Sequence, residues 1–394
     1  MRIAVILENR VQAGGGFQQE FSTACLLNKH KGQQDFVFYT TRKENIAALK
    51  NEGIYAKHLN TASVAHKVYA RIFRHRTIYE LLGKLKVPFE SFLIKDKVDL
   101  VYFLSPSWLA LSLKNLNYVI TVWDLCHRDH PEFLELNLDG EFAIREDFAR
   151  NAIPRAVAVL TSGESLKVDL VRRYGCDPEK IHVAKFLPSV LIKSGALTNV
   201  RQKYSLSNPY VFYPAQFWPH KNHVYILDGL KILRDKFNLT IDAVFCGSDK
   251  GNLQFVLNYA GKLGLKENVR YVGFVPNEEM ASFYQQSVAL VMPTYFGPTN
   301  IPPLEAFALG CPVCYSDLPQ LRDQVGNAVF LMDLDNPESL AQHIMTILND
   351  PQAVREKTNL GKQVISGWTD NDYYDVLKGV FDKYAQKLHC WKND

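Results

Sequence analysis

Two loops in the second half of the chain carry the residue types that hold a phosphate. In "FYPAQFWPHKNHVYILDGL" a strand pattern runs into a loop with Gln216, and Lys221 and Asn222 then open a helical pattern. A cation at a strand-to-helix junction adds a point charge to the backbone N–H donors, which suits a diphosphate. "VALVMPTYFGPTNIPPLEAFALG" repeats the arrangement: strand, Gly- and Pro-rich loop, amphipathic helix. Pro302 and Pro303 fit the first helical positions, where a missing N–H costs little. The amides of Thr299, Asn300 and Ile301 then face whatever sits above the helix start, an anion site with a favourable dipole. Glu305, read as lying in the first turn, would repel a phosphate at close range. It is suited instead to accept hydrogen bonds from the vicinal hydroxyls of a ribose. The plainer alternative is a first-turn acid that stabilises the helix dipole by about 0.3–1 kcal/mol.

The first half offers two further loops. "ENRVQAGGGFQQEF" places Gly14, Gly15 and Gly16 before a helical stretch, so backbone N–H groups can come close to an anion; a surface turn is the competing reading. The spacing is not GxGxxG, so no dinucleotide fingerprint is present. "TVWDLCHRDHPEF" carries Asp124, His127, Asp129 and His130. No strand or helix period brings all four to one face, so a metal site is disfavoured. The loop instead puts Asp124 or His127 at the site and uses the others to fix its own shape; a purely structural loop is the competing reading. Cys311 and Cys314, spaced C-x-x-C with no second pair and on a strand pattern, read as buried, inert thiols.

Such loops need strands behind them. "RIAVIL", "DFVFYT", "VDLVYFL", "YVITVWDL" and "AVAVLTS" are candidates in the first half; "YVFYPA", "IDAVFCG", "VRYVGFV", "VALVMPT" and "CPVCYSD" in the second. Continuous apolar strands alternating with helices predict parallel sheets covered on both faces. The series restarts near residue 209, so two such domains are expected, residues 1–190 and 205–369. The 394 residues suit two cores, and 22% charged residues with a net charge of +4 do not point to a nucleic-acid partner. Seven scattered cysteines suit a reducing compartment, and the first residues read as a buried strand rather than a signal peptide. No apolar run reaches the length of a membrane span.

The succession "YPAQFWPHKN", "VRYVGFVPNEEMASFYQQSVALVMPT", "PPLEAFALGCPVCYSDLPQL" and "AVFLMDLDNPESLA" resembles the retaining GT-B glycosyltransferases of family 4, the bacterial "group 1" transferases. The resemblance implies an α/β GT-B fold, two facing Rossmann-like domains with a central cleft, and a nucleotide-sugar donor held mainly by the second domain. It implies no cofactor and no metal, and a closing helix over 370–394 that crosses back to the first domain. By match, Lys221 is the family's diphosphate-contacting lysine, Glu305 the ribose-binding second glutamate of its E-x7-E motif, and Val275 falls where backbone grips the base. Three positions depart from the pattern. The first glutamate is Gly297, the arginine that partners the lysine is Gln216, and the histidine before Asp124 is Trp123.

The resemblance implies front-face transfer with retention, with Lys221 and the amides of Thr299 to Ile301 stabilising the leaving diphosphate and Asp124 or His127 orienting the acceptor. The basic, apolar stretch over 66–97 suits peripheral contact with the anionic cytoplasmic face of the inner membrane, or a plain surface helix. A saccharide or undecaprenyl-diphosphate-linked acceptor, in O-antigen or capsule-type polysaccharide synthesis, is then expected. A non-catalytic nucleotide-sugar binding protein and a nucleotide-sugar 2-epimerase of the same fold are the alternatives.

Overall fold

A computed structural model describes residues 1–11, 14–60, 88–192, 198–297 and 299–391. The chain divides into two compact units. The first contains residues 1–129, 136–186 and 370–394; the second contains 130–135 and 187–369. The expected first-domain range of 1–190 thus runs across six residues, His130–Glu135, that pack with the second unit.

In the first unit, β1 (Arg2–Leu7), β2 (Asp35–Thr40), β3 (Lys57–His58), β4 (Leu100–Phe103), β5 (Asn117–Val122), β6 (Ala158–Thr161) and β7 (Ile181–Val183) form one sheet in the order β3-β2-β1-β4-β5-β6-β7. All its pairings are parallel. Ile3 to Leu7 are at most 1% exposed, which is what helices on both faces of a parallel sheet require of its central strand. Helix α1 (Gly15–Lys29) follows β1, and α2 (Glu141–Asn151) precedes β6.

In the second unit, β8 (Tyr210–Pro214), β9 (Asp242–Cys246), β10 (Val269–Tyr271), β11 (Ala289–Met292), β12 (Val313–Ser316) and β13 (Phe330–Met332) are ordered β10-β9-β8-β11-β12-β13, again all parallel. Helices α3 (His223–Phe237), α4 (Asn277–Gln286) and α5 (Ile301–Leu309) follow β8, β10 and β11 in turn. The last helix, α6 (Asp370–Leu388), belongs to the first unit, where Phe381 packs against Phe36 and Tyr102 at ring separations of 5.9 and 6.0 Å.

Each sheet reverses its strand order once, between β1 and β4 in the first unit and between β8 and β11 in the second. Loops leaving the carboxyl ends of two such strands diverge to opposite faces and leave a crevice, the usual ligand position in open α/β sheets. The loop with Gly14–Gly16 follows β1; the loops with Lys221 and Gly297 follow β8 and β11.

Of the basic stretch over 66–97, residues 66–87 lie outside the described residues. Pro88–Lys95 is a helix that buries Phe89 and Leu93 and leaves Phe92 and Ile94 exposed. No helix among the described residues is long and apolar enough to cross a membrane.

Candidate functional site

In the second unit the two loops at the reversal point are tied together. The His220 carbonyl accepts from the Tyr295 N–H at 2.9 Å and from Thr294 Oγ1 at 3.4 Å. Ser316 Oγ donates to the Thr294 carbonyl at 2.7 Å, and Tyr213 OH to the Lys221 carbonyl at 3.0 Å. Lys221 closes a short 3₁₀ turn, Pro219–Lys221, and Asn222 caps α3 in a left-handed conformation, φ 53°. The helix therefore begins at His223, not at Lys221 as the pattern predicts. Gln216 Oε1 accepts from the Trp218 indole at 3.0 Å, so the side chain at the arginine position is engaged in its own loop.

Glu305 lies in the second turn of α5, four residues past the helix start at Ile301; this corrects the first-turn expectation. The difference matters, because dipole stabilisation fades within the first turn. Glu305 is 3% exposed. Its Oε2 accepts from Tyr284 OH at 2.6 Å, while Oε1 has no partner among the described residues. Burial pushes its carboxyl up to about 7, against the opposing pull of the Tyr284 hydrogen bond. A buried carboxylate with one bare oxygen awaits a donor.

The amide reading needs one correction. The Asn300 N–H donates to Gln324 Oε1 at 2.9 Å and is committed within the unit, because the Gln324 side chain also returns a bond to the Asn300 carbonyl. The Asn300 side chain donates to the Gly297 carbonyl at 2.8 Å and to Tyr315 OH at 2.6 Å. Thr299 and Ile301 stand on either side of it at the start of α5. Gly297 adopts φ 106°, and a Cβ there would lie 3.2 Å from Asn300 Oδ1. The missing glutamate is thus built into the loop's shape. Val275 is buried between β10 and α4, beside the exposed Phe274.

Two groups here escaped the sequence reading. His223, 0% exposed, stacks on Phe217 at 4.3 Å, and neither ring nitrogen has a partner among the described residues. Burial pushes its pKa down to about 3, so the ring is neutral. Glu135, from the six-residue segment, accepts at Oε1 from His220 Nδ1 at 2.8 Å and from the His220 N–H at 3.2 Å. Burial alone would raise its carboxyl; the His220 ring, the residue's own N–H and the His220 N–H together outweigh that and hold it below its ordinary value. Nothing local in the sequence signals a pair whose members lie 85 residues apart.

In the first unit, Gly14 caps α1 with φ 75°, and the helix starts at Gly15. Gly16 lies against the Trp123 ring. Asp124 Oδ1 accepts from the Cys126 N–H and from Arg145, both at 3.0 Å. His127 is 1% exposed and its Nε2 meets Glu146 at 3.0 Å. Burial lowers its pKa, and Glu146, which Arg128 and Tyr174 also contact, is held well below the usual carboxylate range by Arg128 first. His127 is therefore enclosed in a structural network, while Asp124 is half-buried at the end of β5. Asp129 pairs with Arg173, and His130 stacks near Phe296 in the second unit, so the four residues of this loop disperse. Cys311 and Cys314 are buried and unbridged.

The family model described as glycosyl transferases group 1 matches residues 198–364, the span that contains both loops. That span is a group 1 glycosyltransferase domain. The chain is 27% identical over 263 residues to O-antigen chain mannosyltransferase RfbU of Salmonella typhimurium (strain LT2), covering 64% of this chain and 69% of that one. It is 24% identical over 298 residues to O-antigen chain mannosyltransferase B of Escherichia coli, covering 73% and 76%. Among solved structures, Anabaena HepE in complex with UDP-glucose matches with a TM-score of 0.74 at 14% identity, over 98% of this chain and 100% of that one. That likeness shows the GT-B fold the resemblance implied, and each unit is a Rossmann-like parallel sheet.

Proposed function

We propose that the glycosyltransferase moves a sugar, with retention of anomeric configuration, from a UDP-, GDP- or dTDP-linked donor to a saccharide or lipid-linked saccharide acceptor in bacterial surface polysaccharide synthesis. One observation carries this reading. Lys221 and Glu305 stand on the loop and helix that follow the two strands at the reversal point of one sheet, and Glu305 keeps a buried oxygen without a donor among the described residues. A cation and an ionisable acceptor so placed suit a nucleotide: the diphosphate on Lys221, the ribose hydroxyls on Glu305. The relatives' names, two O-antigen mannosyltransferases, and the UDP-glucose complex of HepE agree with it.

In this reading the acceptor hydroxyl attacks the anomeric carbon on the face from which the diphosphate departs. The bond from that carbon to the β-phosphate oxygen breaks and its electron pair leaves with the diphosphate. The hydroxyl proton passes to the departing phosphate, giving a glycoside and a nucleoside diphosphate. Lys221 stabilises the charge that develops on the leaving group, so the reaction asks for no metal. Asp124, held by Arg145, is the first-unit residue assigned to acceptor orientation. His127 acts only by shaping that loop. An undecaprenyl-diphosphate-linked acceptor would be met at the cytoplasmic face of the inner membrane.

Thermal melting with UDP, GDP and dTDP and their sugars, run with EDTA, tests the reading. A stabilising shift with one base, followed by acceptor-dependent release of that diphosphate, is expected. No shift with any nucleotide overturns it; a shift without turnover leaves a binding protein.

A further inference from the structure

Glu135 uses only half of its carboxylate. Oε1 takes both donors of one residue, His220, while Oε2 has no partner among the described residues; the side chain is 6% exposed. An ionised carboxylate has acceptor capacity on both oxygens, and a buried oxygen left bare is costly until a donor reaches it.

The surroundings say what that donor belongs to. His220 immediately precedes Lys221, and its ring stacks on Phe296 at 3.9 Å and 16°. Phe296 immediately precedes Gly297, and the Tyr295 N–H is bonded to the His220 carbonyl. The bare oxygen therefore lies where the two donor loops meet. A phosphate does not approach a bare carboxylate oxygen, since both are acceptors and both are negative. Residue 297 offers no side chain of its own here, and its φ of 106° disfavours one. In a nucleotide sugar two groups joined to the diphosphate bring hydroxyl donors, the ribose and the transferred sugar; with the ribose on Glu305, the sugar is the group left for this oxygen.

We propose that Glu135 Oε2 accepts a hydrogen bond from a hydroxyl of the transferred sugar, making Glu135 a determinant of donor-sugar specificity. This rests on the donor reading of Lys221 and Glu305. The oxygen is shielded from solvent, so sugar binding shifts the side chains that cover it.

Glu135→Gln keeps an oxygen for the two His220 donors and replaces Oε2 with an amide that cannot accept. Calorimetry on the full chain, with UDP, GDP and dTDP and with UDP-glucose, GDP-mannose and dTDP-glucose, separates the outcomes. Affinity for the matching diphosphate stays within about twofold of wild type, and affinity for its nucleotide sugar falls about tenfold, as for one lost bond to a charged group. Equal losses on both ligands make Glu135 only a brace for His220 and overturn the proposal. So does an unchanged affinity for both. Should Glu135→Gln not fold, wild type is titrated with singly deoxygenated forms of the bound nucleotide sugar. One position must lose about tenfold, and no loss at any position overturns the proposal. A wild-type chain that binds none of UDP, GDP and dTDP overturns the donor reading itself, and the proposal with it.

Discussion

Gly16 lets the Trp123 indole lie against the start of α1: a Cβ on residue 16 would stand 3.2 Å from two ring carbons and 3.2 Å from Asn9 Oδ1. The glycine and the tryptophan are therefore one packing decision. Gly16→Ala should destabilise the chain by about 1 kcal/mol, the ring having to give by a few tenths of an ångström. In Trp123→His the smaller ring should absorb most of that cost. Urea melts of the two single variants and the double variant measure the coupling; strict additivity would show that the ring does not press on the glycine.

Lys221→Ala should cut the transfer rate by at least ~10²-fold, the loss typical of one charge-stabilising donor. Lys221→Arg should recover part of it. The melting temperature without nucleotide should stay near wild type, since the side chain is half-exposed. Wild-type-like turnover in Lys221→Ala would remove the residue from the mechanism.

Glu305 makes stability depend on pH. Its folded carboxyl sits at about 7, above the ordinary 4.5, because burial disfavours the charge. The unfolded chain therefore ionises first. The resulting loss of stability is absent below about 4.5 and grows as pH rises towards 7. Glu305→Gln keeps an acceptor for Tyr284 and carries no charge to bury. Relative to wild type it should gain about 1–3 kcal/mol between pH 5 and pH 8, read from urea melts at the two pH values. A pH-independent difference would mean that Glu305 is not the group responsible. The same variant should bind nucleoside diphosphates more weakly, because its amide nitrogen cannot accept.

Gly297→Glu, which restores the residue usual in the family, should fail to improve turnover and should cost about 1–3 kcal/mol. The position holds φ 106° and its Cβ would crowd the Asn300 side chain. Adding Asn300→Gly frees that space and should recover part of the loss. Increased activity in Gly297→Glu alone would show that the loop adapts more readily than this geometry allows.

Much of the fold was legible because its strands are continuous apolar runs. "RIAVIL" and "YVFYP" could only be central strands, buried on both faces. The short edge strands β3, β7 and β13, of two or three residues, lack enough length to show a pattern and were not read as strands. The placement of Lys221 and Glu305, each across a loop from a strand, follows from the same pattern. The commitment of the Asn300 amide to Gln324 was not, since that bond joins residues 24 positions apart. His127 looked like chemistry by type, yet its burial against Glu146 is a property of packing that spacing does not record. Glu135 was invisible for the opposite reason: its loop was read as belonging with its sequence neighbours.

The path of the chain also sets an order of assembly on the ribosome. Residues 187–369 emerge as one uninterrupted stretch and hold all six strands of their sheet. The first sheet, although synthesised earlier, still lacks α6, whose Phe381 covers Phe36 and Tyr102 and whose Tyr374 stacks on His30 at 3.7 Å. The half made first is thus the half finished last. Until translation has passed α6, the nascent N-terminal sheet presents an uncovered aromatic face, the kind of surface that recruits a chaperone.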